Sequence, residues 1–179
     1  MATSYESSTS DRMRELFITG LKNAHAMEQQ ALSIMEPQVK RIENYPEVAD
    51  RLHEHIRETN GQIERLDQLL DMFDSKASTL KDMATSMAGG MAAIGHSMAG
   101  DEIVKNSFAN FAFENFEIAA YKSLIIMAED GSFGNTTSFL QQNLREEQAM
   151  AEWIDQHLPM VTRRYAQLYV REGASEAKV

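Results

Sequence analysis

Four long segments of this chain carry apolar residues at the spacing of an α-helix, and this pattern limits the possible folds more than any other feature of the sequence. The first two apolar stripes run from Phe17 to Ile42 and from Val48 to Phe73. Two further helical segments run from about Asp101 to Ala128 and from about Thr136 to Leu158. Ala, Leu, Met, Glu and Gln are abundant and there are only three prolines, which favours helices over strands. The sequence therefore predicts an all-α protein with essentially no sheet.

The first two helices are expected to form an antiparallel hairpin. A Ser- and Thr-rich leader, residues 1–10, is predicted to be flexible, so the first helix should begin near Ser10 or Asp11 and end near Asn44. Pro46 suits the first turn of the second helix, because a proline there lacks only an N–H that would be unpaired anyway. The short break between the two helices places them side by side.

A long connection separates the two halves of the chain. Residues 75–100 are rich in Met, Gly and small residues and predict a crossover with room for one short helix. The methionines at 83, 87, 91 and 98 are expected to fill gaps in the core, and an adaptable partner-binding face is the alternative. Two hairpins joined by one long crossover is the topology of ferritin-like bundles. We therefore expect a single ferritin-like domain over residues 11–172, a four-helix bundle followed by a short C-terminal helix that opens at Pro159. Residues 173–179 are predicted to be a flexible tail.

Composition narrows the chemistry that this domain can perform. The 179 residues have enough apolar material for one packed domain. They include no cysteine, which excludes disulfides, thiolate-bound zinc and iron–sulfur clusters. A formal net charge of −10 without a basic tail predicts no nucleic-acid partner. No secretory leader or apolar stretch of about 18 residues is present, so no membrane contact and a cytoplasmic location are expected. Hydrolytic nucleophile motifs and phosphate-binding loops are absent as well.

A repeated glutamate is the strongest sign of a functional site. Glu28 and Glu58 are 30 positions apart, and so are Glu117 and Glu147, with the two pairs offset by 89. Each acid lies on or beside an apolar stripe, so four helices should each direct one carboxylate inward. Four converging carboxylates would repel one another unless a cation lay between them. The sequence therefore predicts two divalent metal ions held by these four residues, with iron as the first choice and manganese as the second.

Two polar residues beside Glu58 are secondary candidates. His55 lies one turn before it and Gln62 one turn after it, and either direct ligation or hydrogen bonding to a ligand would satisfy these side chains. His25 precedes Glu28 in the same way, and whether His25 or His55 ligates stays open. The simplest alternative for the glutamates is that some lie at the edge of a stripe and form surface ion pairs.

Several segments resemble the YciE/YciF ferritin-like family of bacterial stress-associated proteins. They are AMEQQAL, HEHIRETNGQIERLDQLL, ENFEIAAYKSL and LREEQAMAEW, and the resemblance covers most of residues 12–158. It implies a small four-helix bundle, often a homodimer, that is linked to stress responses and has a ferritin-like metal site. The direct matches to the family pattern are His55, Glu58, Thr59, Gln62, Glu117, Ile118, Ala119, Ala120 and Tyr121.

The chain also departs from that family pattern. Asn115 stands where the family often has histidine, Ala151 where it often has aspartate, and Met27 where it has alanine. The Glu-x-x-His motif of di-iron bundles is missing as well, because Gly61 and Met150 occupy its histidine positions. These differences motivate a second hypothesis, a metal-free helical bundle that acts as a structural or protein-interaction module.

The leading hypothesis is a di-metal carboxylate protein of the bacterial stress response. Glu58 and Glu147 are candidate bridging ligands, and Glu28 and Glu117 are candidate terminal ligands. If a coordination position stays open, weak oxidase or peroxidase activity with oxygen or peroxide would follow.

Overall fold

The computed structural model describes residues 2–77 and 100–179. In this part of the chain all regular structure is helical, as the sequence predicts. Most of the predicted crossover at 75–100, including the methionines at 83, 87, 91 and 98, lies outside the described residues. The helices are α1 (Ala2–Val39), α2 (Pro46–Met72), α3 (Glu102–Asp130), α4 (Thr137–Glu172) and α5 (Ala174–Ala177), with a 3₁₀ turn at Gly134–Thr136.

Helices α1 and α2 form one hairpin and α3 and α4 the other, and the two hairpins pack into a four-helix bundle. The stripes predicted from sequence form its core: Phe17, Leu21 and Leu66 are fully buried. At one end the rings of Phe17 and Phe133 stack with centroids 5.2 Å apart, and Phe73 packs edge-on against both. This aromatic contact ties the end of the first hairpin to the turn of the second.

Three helix boundaries differ from the predicted ones, and one of them is the end of α1, which lies at Val39 instead of near Asn44. Helix α1 begins at Ala2 instead of Ser10 or Asp11, and no glycine or proline precedes Gly20 to interrupt it. Helix α4 continues through Pro159, where a separate final helix was predicted. An internal proline costs a helix about 3 kcal/mol, but here Ile154 and Val161 are buried on either side of it. Packing of the whole helix therefore outweighs the local preference for a break.

The C-terminal segment, predicted as a flexible tail, is helical over α5 and packs on the end of the bundle. Ala177 is fully buried, and its carbonyl oxygen accepts a hydrogen bond of 2.6 Å from the hydroxyl of Tyr45. The N–H of Ile103, at the start of α3, donates to Lys178 O, and the N–H of Asn44 donates to Val179 O. The segment thus pairs backbone groups of the α1–α2 turn and of α3 that local sequence leaves without partners.

No helix in the described part of the chain is long and apolar enough to span a bilayer.

Candidate metal centre

Five titratable side chains meet in the middle of the bundle, and all four long helices contribute. Helix α1 supplies Glu28, α2 supplies His55, α3 supplies Glu114 and Glu117, and α4 supplies Glu147. Each is at most 2% exposed. Because every one of these residues lies on the inward face of its helix, the same helical periodicity that builds the core also gathers the acids.

Four of these residues have the spacing of a metal site. One potential ligand atom from each of His55, Glu114, Glu117 and Glu147 lies within 4.8 Å of the others. His55 Nε2 is 3.2 Å from Glu114 Oε2 and 3.5 Å from Glu147 Oε2. An ion that binds nitrogen and carboxylate oxygen at about 2.0–2.2 Å holds opposite ligands roughly 4 Å apart. The observed spread is therefore close to that of a metal's ligand shell.

The imidazole of His55 is held so that one particular nitrogen faces this cluster. Its Nδ1 lies 2.8 Å from Glu58 Oε2, and Arg51 donates to the same oxygen at 3.0 Å. An ionised carboxylate can only accept, so Nδ1 carries a proton toward Glu58, and Nε2 is directed at Glu114 and Glu147. Metal-bound histidines are oriented in this way by a carboxylate on the remote nitrogen.

Several buried carboxylate oxygens have no hydrogen-bond donor among the described residues. They include both oxygens of Glu117 and the Oε2 atom of Glu28. Glu28 Oε1 is different, because it accepts a hydrogen bond from the hydroxyl of Tyr121. Buried polar groups are normally paired, so these donor-free oxygens are compatible with a cation bound among the acids.

The electrostatics of the buried acids agree with this geometry. Burial raises the pKa of Glu28 from the usual 4.5 to about 8, although the hydrogen bond from Tyr121 partly opposes this. Burial, together with the charge of Glu28, also raises the pKa values of Glu117 and Glu147 well above 4.5. Burial lowers the pKa of His55, but Glu114 and its other acidic neighbours reverse this, so the pKa lies well above 6.5. The buried cluster therefore contains four carboxyl groups and a single imidazole.

Of the four predicted glutamates, the structure buries three together and places the fourth behind the histidine. The side chain of Glu58 is 24% exposed and contacts His55 Nδ1 and Arg51. Burial raises its pKa, and hydrogen bonds from those two residues outweigh that effect, so the pKa falls below 4.5. In this arrangement Glu58 orients the imidazole.

The remaining polar residues near the predicted glutamates have different contacts and therefore different roles. Gln62 is fully buried, and its amide donates to Glu147 Oε1, so it orients a carboxylate. His25 lies 3.3 Å from Asp67 and is directed toward that residue of α2. Glu146, next to Glu147 in sequence, forms an ion pair with Arg65.

Sequence reasoning missed Glu114. It lies one turn before Glu117, so it shares the inward face of α3, and the helical spacing alone could have identified it. The 30-residue repeat drew attention to one acid per helix and left this second acid of α3 aside. Asn143, a fully buried amide one turn before Glu147, was missed as well, because the repeat concerns only glutamates.

The departures from the family pattern lie outside the cluster or leave it intact. The amide of Asn115 is exposed and donates to Phe111 O on the outer side of α3, so a histidine there would not face the cluster. Ala151 is buried at 7% exposure, one turn after Glu147. These differences do not remove any of the five clustered side chains.

Two helical hairpins around a core of carboxylates and an imidazole define a ferritin-like helical bundle. Within that class the chain belongs to the family described as a domain of unknown function, DUF892, which it matches over residues 12–167. The resemblance to YciF-type proteins is confirmed by this match and by the relatives below.

Protein YciF of Escherichia coli (strain K12) is 26% identical over 144 residues, covering 76% of this chain and 84% of that protein. A crystal structure of a protein from Xanthomonas campestris pv. campestris is similar with a TM-score of 0.72 and 29% identity, over 84% of this chain and 93% of that one. The crystal structure of the E. coli stress protein YciF gives a TM-score of 0.69 at 22% identity, over 82% and 94% of the two chains. The last comparison shows a shared fold.

Proposed function

We propose that this protein binds two divalent metal ions, iron or manganese, in the centre of the bundle. Glu28, Glu114, Glu117, Glu147 and His55 are the ligands in this proposal, and Glu58 and Gln62 hold ligands in place. The observation that carries the proposal is the group of buried carboxylate oxygens without donors around an imidazole whose Nε2 faces them.

Charge balance favours two ions over one. Four buried carboxylates oppose a single imidazole, and no Lys or Arg is among the residues that cluster there. Taking even one unpaired carboxylate out of water is costly, and a group of them is far more so. Two divalent cations would neutralise four carboxylates. Hard oxygen donors with one nitrogen suit iron and manganese, and the absence of cysteine means that no thiolate can bind there.

When bound, such ions would supply redox chemistry with oxygen or peroxide as the substrate. The protein's own contribution is a buried, acid-lined site in which hydrogen bonds hold Glu28, His55 and Glu147. We extend the description of the E. coli relative as a stress protein to this chain and propose a role in stress response. An oxygen-consumption assay on the Fe(II)-loaded protein tests the activity separately from binding.

Metal content, measured by inductively coupled plasma mass spectrometry after loading with Fe(II) without oxygen or with Mn(II), is the decisive test. We expect about two ions per chain, and less in Glu117→Gln and Glu147→Gln. The matched control is Glu102→Gln, because Glu102 is equally buried but pairs with Arg41 at the far end of the bundle. The control should lose stability and keep its metal. Failure of the wild-type protein to bind either ion would refute the proposal.

A metal-free module is the second candidate. The observation in its favour is the solvent-exposed apolar side of α3, where Phe108 and Phe116 are 54% and 51% exposed. This hypothesis predicts that chelators leave thermal stability unchanged, whereas a metal centre predicts a loss.

A further inference from the structure

A line of hydrogen bonds connects the proposed centre to the outer side of the bundle and crosses all four long helices. Arg65 Nε on α2 donates to Asn143 Oδ1 on α4 at 2.5 Å. Asn143 Nδ2 donates at 2.9 Å to the hydroxyl oxygen of Tyr121 on α3. That hydroxyl donates to Glu28 Oε1 on α1. Tyr121 and Asn143 are fully buried, and the side chain of Arg65 is 15% exposed.

Arg65, at the outer end of this line, determines which group donates and which accepts in each of the hydrogen bonds. Arginine can only donate, so Arg65 fixes the amide of Asn143 with its oxygen outward and its NH₂ group toward Tyr121. The tyrosine oxygen then accepts from the amide, and its own proton is directed to Glu28. Glu146 holds the guanidinium from the other side. The acceptor at the inner end is therefore one defined oxygen of one carboxylate.

We propose that Tyr121, Asn143 and Arg65 are positioning residues that hold Glu28 with its Oε2 atom toward the metal centre, an inference that rests on the proposed function. Glu28 Oε1 is occupied by the hydroxyl of Tyr121, while Oε2 is buried without a hydrogen-bond donor among the described residues. One oxygen of the α1 carboxylate is thus already fixed, and the other is the one that this proposal assigns to the metal. Hydrogen bonds to ligands of this kind typically contribute about 10- to 100-fold to metal affinity.

The same line is unsuited to carrying protons. An amide such as Asn143 does not readily take up and release a proton, and a guanidinium such as Arg65 stays charged. The role of the line is therefore to orient the Glu28 carboxylate.

The test compares two buried tyrosines. Tyr121→Phe removes the bond to Glu28, whereas Tyr45→Phe removes an equally buried hydroxyl that bonds to Ala177 O at the end of the bundle. Affinity for Mn(II) is measured by competition with a chelator, and the visible absorption of the Co(II)-loaded protein reports the ligand geometry. We expect Tyr121→Phe to weaken binding by about 10- to 100-fold and to change the Co(II) spectrum, and Tyr45→Phe to do neither.

Asn143→Leu is the second variant, because it removes the donor to Tyr121 and keeps the hydroxyl. It should cause a smaller loss of affinity in the same direction. Equal affinities and spectra for the wild type, Tyr121→Phe and Asn143→Leu would overturn the inference and leave the metal centre standing. A wild-type protein that binds no metal would overturn both.

Discussion

At the scale of single residues, the centre contains buried acids that ionise with difficulty while no metal is bound. Glu28, Glu117 and Glu147 are all fully buried, and two oxygens of Glu117 lack donors. A carboxylic acid in such a site prefers to keep its proton, which is why burial raises its pKa. The same residues would lose their protons on binding a cation, so metal affinity and metal-free stability should depend on pH in opposite directions.

The stability of the metal-free protein should fall as the pH rises from about 4.5 to beyond 8. Glu28 is protonated in the folded state up to about pH 8 but titrates near 4.5 when unfolded, so the folded state binds more protons within this range. His55, whose folded pKa lies well above 6.5, acts in the same direction. Each unit of difference in pKa corresponds to about 1.4 kcal/mol. Urea unfolding of chelator-treated protein across this range measures the effect.

Glu117→Met is the control for this pH dependence. It removes one buried acid and should make the decline shallower, and it should stabilise the metal-free protein because an apolar side chain replaces an unpaired one. The stabilising contribution of Glu58, whose pKa is lowered, is lost only as the pH falls below 4.5 and does not interfere. A metal-free protein whose stability rises steadily from pH 5 to 8 would contradict the buried-acid description.

At the scale of helices, glycine-to-alanine substitutions at two positions can be compared, one with room for a Cβ atom and one without. A Cβ atom at Gly61 in α2 would meet only the Arg65 side chain, at 3.4 Å, which is ordinary contact. Gly61→Ala should therefore stabilise the protein by about 0.5–1 kcal/mol, because alanine loses less conformational freedom in a helix. Urea unfolding should show a higher midpoint with an unchanged slope.

Gly20→Ala is the comparison variant in α1. Its Cβ atom would lie 2.7 Å from Leu124 Cδ2 of α3, so the leucine must shift before the helical preference of alanine can contribute. We expect a smaller gain than at Gly61, or a loss. Equal stabilisation by both substitutions would show that α1 and α3 approach each other less closely than the structure indicates.

Helical periodicity predicted the elements well because it reports a property of each segment by itself. It identified the four long helices, the hairpins and the inward positions of Glu28 and Glu147. It failed where long-range packing decides: at Pro159, which buried neighbours keep within α4, and at Ala177, which Tyr45 holds from 132 positions away in sequence. Which of the inward acids converge is likewise a question of how the helices are rotated against one another. Glu58 shows this, since α2 is turned so that His55 faces the acids of the other helices while Glu58 is partly exposed beside Arg51 of its own helix.

At the scale of the whole molecule, four of the eight large apolar side chains that are exposed in the described part of the chain lie on α3. Phe108, Phe111 and Phe116 are 54%, 38% and 51% exposed, and Ile126 is 57% exposed. Phe116 also lines an open groove of about 430 Å³ between α1 and α3. A large aromatic side chain has about 150–250 Å² to bury, so these residues alone expose a few hundred Å². That is the size at which surface patches are commonly functional.

We propose that the homodimer implied by the family resemblance uses this side of α3. Phe111→Glu combined with Phe116→Glu should produce a monomer, because the double variant places charges in the middle of the apolar contact. Val170→Glu is the control, since Val170 is 83% exposed near the end of α4, and it should leave the mass unchanged. Each chain carries a net charge of −10, so two copies repel, and raising the salt concentration should strengthen the wild-type dimer. Light scattering coupled to size exclusion at low and high salt measures both effects. A wild-type protein that has the mass of one chain at every salt concentration would show that the exposed phenylalanines serve some contact other than one between two copies of this chain.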